Sequence, residues 1–401
     1  MKCNKTIISL LTSSVLILGT VTPGIVSAQS LINGNGAFSD STAVANTTNS
    51  MTTSQNNTAS VNNTVTSAMN TGGNSADNAT GGNVSILTGD ASSNVQIANE
   101  ANRNQASSMS TPQAMGSNAV ISGNGTSSDN QVFGTNSNSA SLSQNNDALL
   151  NNSVTTNANT GWNSANNATG GDVAIRTGSA GSSVGILNAA NTNTANMGNV
   201  GENNGGGSFA GIGQNGAFSD NTISLNNLDR NTATQNNAAN VNNTVTGNLS
   251  TGNNSADNGT NGGASIATGN AYAFTNVVNR VNANNAQVES NGGSGDWNKV
   301  IGNGAYSNNQ LFDTNSTTHA ASQNNDSTLN NDVFNTMATG NNSLNNATGG
   351  LYAYSNPSTR SGGAYQQSNV QNQANSNTLG SFDIGGTHFT MSFDPMGIFG
   401  N

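Results

Sequence analysis

One long text is written four times along this chain, so whatever fold it takes must use each copy in the same way. The marker Asn-Gly-Ala-Phe-Ser-Asp begins at Asn35 and returns, with changes, at Asn124, Asn215 and Asn303. Gln-Asn-Asn starts at Gln55, Gln144, Gln235 and Gln323, and Asn-Asn-x-Val at Asn62, Asn151, Asn242 and Asn330. All three markers step by 89, 91 and 88 residues, so register is kept across whole units. Such an array predicts a solenoid or a string of modules. The units run over 31–119, 120–210, 211–298 and 299–380.

Composition limits what fills each unit. Apolar residues make up 32% and aromatics 4%, so a conventional bulky core would be thin. Charged residues are only 6%, which removes the self-repulsion that holds charge-rich disordered chains open. A low-charge, Asn-rich text is either disordered and aggregation-prone or ordered by stacked amides. The strict register argues for order.

Residues 1–28 read as a secretory signal. Lys2 and Lys5 precede an apolar run from Ile7 to Val21, and Val26-Ser27-Ala28 offers small residues for cleavage before Gln29. The run is too short and too interrupted for a membrane span. The single cysteine, Cys3, would leave with this segment, so no disulfide or thiol chemistry is expected. Without Lys2 and Lys5, the eight cations fall to six against 18 acids, a net charge of −12. Isolated cations on an acidic chain do not suit nucleic acid, which needs clustered positive charge.

Between Gly-rich turns such as Ala79-Thr80-Gly81-Gly82, apolar residues alternate. Val61, Val65 and Met69 share one parity, as do Val84 with Ile86 and Val95 with Ile97. Alternation over three to five residues predicts short half-buried strands, and Asn, Gly, Ser and Thr oppose helix. An all-β chain follows. Tandem small β-sandwiches and a repetitive β-solenoid of short strands both suit the length. A sandwich needs two bulky apolar faces about 10 Å apart, whereas Val, Ile, Ala and Thr can fill a thin solenoid. The solenoid is therefore expected. Asn35, Asn57, Asn78, Asn102 and Asn124 are spaced by 22, 21, 24 and 22 residues, which suggests four coils of about 22 residues per unit and a rod of sixteen coils, on the order of 75 Å long.

Ser54-Gln55-Asn56-Asn57 and Thr71-Gly72-Gly73-Asn74-Ser75-Ala76, with that spacing, resemble the curlin-type repeats of bacterial surface fibres. The likeness extends loosely over 31–350. It implies a β-solenoid and a chain that associates with itself. The chain departs from the family in its 90-residue super-repeat and in not repeating inward Gln and Asn in every 22-residue coil.

Residues 381–401 change character, with Phe382, Phe389, Met391, Phe393 and Phe399 in a short span. Phe389, Met391 and Phe393 alternate as a strand would. They are the candidate assembly residues, as a cap on the last coil or a strand docked on a neighbour.

Catalytic groups are sparse. His319 and His388 sit in unrelated contexts, and His319 replaces a small repeat residue, so it is expected to face solvent. Glu100, Glu202 and Glu289 stand apart, and no Gly-x-Ser-x-Gly accompanies a His and an acid. Asp40, Asp129 and Asp220 recur but are expected as turn residues, not calcium ligands. Trp162 is expected to be exposed. No enzyme activity, cofactor or metal is expected. The reading is a secreted structural repeat protein of the cell surface or extracellular matrix, associating with itself and with surface or matrix components. The alternative is an adhesin-like, ice-binding or glycan-binding module.

Overall fold

The computed structural model describes residues 3–18, 29–77, 80–109, 118–166, 170–197, 209–257, 263–288, 297–345 and 358–380. These residues form strands, turns and bends, with no helix. A lone strand, β1 (Cys3–Leu18), comes first. The first rung holds β2 (Gln29–Asn33), β3 (Asp40–Asn70), β4 (Ser75–Asp77), β5 (Val84–Leu87) and β6 (Ala91–Met109). The second holds β7 (Asn118–Ser122), β8 (Asp129–Asn159), β9 (Ser164–Asn166), β10 (Val173–Arg176) and β11 (Ala180–Met197). The third holds β12 (Phe209–Gly213), β13 (Asp220–Ser250), β14 (Ser255–Asp257), β15 (Ala264–Ala267) and β16 (Ala271–Val288). The fourth holds β17 (Trp297–Ile301), β18 (Asn308–Ala338), β19 (Ser343–Asn345), β20 (Ser358–Arg360) and β21 (Ala364–Leu379).

Equivalent strands of successive rungs pair in parallel, giving five stacked sheets. Gln55 pairs with Gln144, Gln144 with Gln235, and Gln235 with Gln323. The fold is a β-solenoid.

Its coil is not 22 residues. Pairing joins residues 89, 91 or 88 apart in the longest sheet, so one whole unit makes one turn. Asn35 meets Asn124, and Asn102 meets Asn191, while Asn35, Asn57 and Asn102 never stack on one another. Asn78 lies outside the described residues. The regular Asn spacing reflects the abundance of Asn, not a structural period. Four rungs at about 4.8 Å give a stack about 20 Å thick, in place of the expected rod. Each rung is wide instead, because a 31-residue strand has a contour of about 100 Å.

The strands also divide by length. β4, β5 and their counterparts are short, as expected, but β3, β8, β13 and β18 each run for 31 residues. Apolar alternation broke into pieces in the sequence because many inward positions carry amides. In β8 the inward residues run Leu142, Gln144, Asn146, Ala148, Leu150, Asn152, Val154, Thr156 and Ala158, all buried. Once amides count as inward residues, the period of two is unbroken.

Apolar slabs lie between the amides. Val95, Ile97, Val154, Val184, Ile186, Val245 and Val277 make one, joining the long strands to the β6, β11 and β16 column. Ile32, Ile121, Val132, Ile212, Ile223 and Leu225 make another, where the short strands β2, β7 and β12 cover the start of the long ones. Ile86, Ile175 and Ile266 anchor the corner of β5, β10 and β15.

Two glycine columns show how closely the rungs approach. A Cβ on Gly161 would sit 2.0 Å from the Gly252 carbonyl oxygen, and one on Gly125 would sit 2.4 Å from the Ala37 nitrogen. Only glycine lets backbones stack at this distance, which accounts for the Thr-Gly-x-Asn and Asn-Gly markers.

Candidate functional site

Two networks of buried amides cross the interior, tying each long strand to the strand facing it. In the first, Asn99 Nδ2 donates to Asn188 Oδ1 at 2.7 Å, Asn188 to Asn279 at 2.7 Å, and Asn279 to Asn372 at 2.7 Å. The opposite column runs Asn63 to Asn152, Asn152 to Asn243 and Asn243 to Asn331, each at 2.8 Å. Cross-links stitch the columns together. Asn99 donates to Asn152 at 3.0 Å, Asn152 to Asn188 at 3.1 Å and Asn188 to Asn243 at 3.1 Å. The second network does the same with Asn104, Asn193 and Asn284 facing Asn146 and Asn237. Each amide has two donors and an acceptor oxygen with two lone pairs, so a zigzag of this kind can satisfy it in the interior.

Glutamine adds a further column. Gln144 Nε2 donates to Gln55 Oε1 at 2.6 Å, Gln235 to Gln144 at 2.8 Å, and Gln323 to Gln235 at 2.8 Å. The remaining donor of each reaches a facing backbone carbonyl, as from Gln235 to Asn285 at 2.9 Å. Inward Gln and Asn thus recur at fixed offsets in every rung, once the rung is taken as 90 residues.

The marker turn carries a column of its own. Asn124 Nδ2 donates to Asn215 Oδ1 at 3.0 Å, and Asn215 to Asn303 at 3.0 Å. Ser39, Ser128, Ser219 and Ser307 each close the turn by donating to the carbonyl of Gly36, Gly125, Gly216 and Gly304. Before each serine comes a residue in the left-handed region: Phe38 at φ 62°, Ser127 at 54°, Phe218 at 54° and Tyr306 at 57°. Bulky residues seldom take this conformation. Phe218 and Tyr306 stack at 5.3 Å with planes 9° apart, and Phe38 and Tyr306 are over 80% exposed. Tyr272 and Tyr365 make a second stack at 5.4 Å.

The candidate assembly residues Phe389, Met391 and Phe393 lie outside the described residues, as does His388. His319 does not face solvent, contrary to expectation. It shares the inward register with Asn231 and is half-buried, with Nδ1 3.4 Å from Asn231 Nδ2. Burial pushes the neighbouring Asp229 carboxyl above its ordinary range, and the His319 charge opposes that rise. Asp40, Asp129 and Asp220 open the long strands and pair with one another across rungs. Asp77 and Asp257 accept from Ser75 and Ser255 hydroxyls. Among the described residues, no three His, Cys, Asp or Glu gather as a metal site would require. Trp162 is exposed, at φ 60° in the turn column of Gly73 and Asn253.

Among the described residues, the stack is open at its ends. At the C-terminal end all five sheets finish on fourth-rung strands, and β21 is exposed along nearly its whole length. At the other end four sheets finish on β2, β3, β4 and β5, while β1 lies beyond β6. Among the described residues, the aromatic and amide columns therefore run out into unpaired edges. Searches for known relatives find no match: no family model, no curated protein and no solved structure resembles the chain closely enough to count.

Proposed function

We propose that this is a secreted structural protein of the cell surface or extracellular matrix, whose copies stack end to end into fibres. The observation that carries the reading is that, among the described residues, the longest sheet ends on two equivalent strands, β3 and β18, each with one edge unpaired. If β18 of one copy pairs with β3 of the next in the register of the internal rungs, Gln323 meets Gln55, Asn325 meets Asn57 and Asn331 meets Asn63. Tyr306 then meets Phe38, extending the Phe218–Tyr306 stack. Unpaired edges template a further strand, and a head-to-tail contact that does not close on itself builds an open filament. Few charges stand in the way.

Ice or glycan binding would want a flat, regular row of threonines. Thr64 and Thr66 align with Thr244 and Thr246 on the outer face, but the row is broken by Ser153, Asp332 and Phe334. The structural reading is the better supported.

The test is fibre growth by the chain beginning at Gln29, followed by light scattering, microscopy and fibre diffraction. Filaments with a reflection near 4.8 Å along their axis are expected. Asn325→Lys with Asn331→Lys, which places charges on the exposed edge, should slow growth at least tenfold. A chain that stays monomeric at all accessible concentrations sinks the reading.

A further inference from the structure

The strand β1 occupies a place built for another strand. It pairs with β6 from Cys3 opposite Ala91 to Leu18 opposite Ala106, passing over Asn102. At the far end β21 pairs with β16 from Ala364 opposite Ala271 to Leu379 opposite Ala286, passing over Asn282. Ala91 and Ala271 are equivalent, since both pair with Ala180, and Ala106 and Ala286 both pair with Ala195. Both strands are 16 residues long and omit the same position. The leader therefore covers on the first rung the span that the last rung's final strand covers on the third.

From this identity of register we infer that the leader strand is a built-in stopper: it holds the seat on β6 that β21 of a preceding copy takes during stacking, and its removal licenses assembly. The inference rests on the end-to-end reading above. It adds which edge is gated, by which segment, and which segment of the second copy replaces it. The two occupants differ in what they bring. β21 sets Asn372 and Asn377 opposite Asn279 and Asn284, which donate to them at 2.7 and 3.1 Å. In β1 the same positions, opposite Asn99 and Asn104, are Leu11 and Leu16. Backbone pairing is available to both, but only β21 can extend the amide columns. Once the leader is gone, the vacated edge favours the second copy. While it remains, a second copy must displace a tethered strand, whose effective concentration is high.

Three chains separate the possibilities: the full chain, the full chain with Ile8→Pro and Leu11→Pro, and the chain beginning at Gln29. The two prolines have opposite parity along the strand, so at least one removes an N–H directed at β6. All four rungs lie after residue 28, and equal β signals in circular dichroism would verify that they form in each chain. The full chain is expected to elongate at least tenfold more slowly than the chain from Gln29, with the proline chain matching the latter. A soluble peptide of residues 364–379 should slow elongation of the chain from Gln29, and a scrambled peptide should not. Equal elongation by full and shortened chains overturns the stopper and leaves fibre assembly standing. A proline chain as slow as the full chain also overturns it, since the leader would then act without pairing. If none of the three elongates, the assembly reading fails and the stopper with it.

Discussion

The two halves of each long strand are built from similar residues and reach different outcomes. In the half that faces the β6, β11 and β16 column, three inward amide columns are uniform through all four rungs, among them Gln55, Gln144, Gln235 and Gln323, and Asn63, Asn152, Asn243 and Asn331. Only the column of Ser67, Thr156 and Gly247 ends in a lone amide, Asn335, whose Nδ2 has no partner. In the other half the columns are mixed. Thr47, Asn136 and Asn227 share one, Asn138 and Asp229 the next, and Met51, Ala140, Asn231 and His319 the next. There Asn136 is buried with neither side-chain atom bonded, and Asn231 Oδ1, Asp229 Oδ1 and His319 Nε2 lack hydrogen bonds. Asparagine alone does not stabilise the interior. A column works when each residue repeats its neighbour and faces amides on the opposite sheet, because only then does every donor meet an oxygen.

The largest test of that contrast is Asn188→Leu. Asn188 takes part in bonds with Asn99, Asn152, Asn243 and Asn279, all buried, so its loss strands polar groups on both sides. A destabilisation of about 3 kcal/mol or more is expected from unsatisfied buried amides, measured as a fall in the urea midpoint at unchanged slope. The comparison breaks if Asn188→Leu is neutral. Asn136→Leu should go the other way. Replacing an unpaired buried amide with an apolar side chain of similar size removes a desolvation cost, and a gain of about 1 kcal/mol is expected. A loss as large as that of Asn188→Leu would show that both halves rely equally on amides.

The smallest effect is expected from Asp229→Asn, which restores the amide of the Asn138 column. The folded-state carboxyl titrates above the unfolded one because of burial, so between the two the folded chain holds more protons and stability falls as pH rises. The substitution should therefore stabilise by less than about 1 kcal/mol at neutral pH, since the site is only partly shielded from solvent. The advantage should disappear below the unfolded carboxylate range, where Asp229 is neutral in both states. Thermal unfolding of the two chains at pH 3 and pH 7 checks this. An equal difference at both values would remove the electrostatic cause.

Much of this was legible from the residues. Val84 with Ile86 and Val95 with Ile97 announced inward parity, and those side chains are buried. The Gly-rich Ala79-Thr80-Gly81-Gly82 stretch announced a turn, and Gly81 takes positive φ there; that Gly161 leaves no room for a Cβ came only from the fold. The 31-residue strands are hidden in the sequence because Gln144, Asn146 and Asn152 interrupt the apolar alternation, yet in the fold they are the interior. The aromatic of the marker was visible at Phe38, Phe218 and Tyr306, but its exposure, its left-handed backbone and its stacking were not.

The sequence by itself determined that similar units repeat in register, that they are all-β, and where glycines mark turns. These are local matters of sterics and alternation, and a repeat states them four times. The tertiary structure alone decided that a whole unit makes one turn, that Asn99 faces Asn152 and not its neighbours in sequence, and that β1 and β21 claim equivalent edges. Pairing between segments 36 to 93 residues apart is a competition among many similar amide-rich strands. It is settled by which arrangement satisfies the most buried donors at once, and no stretch of sequence carries that sum.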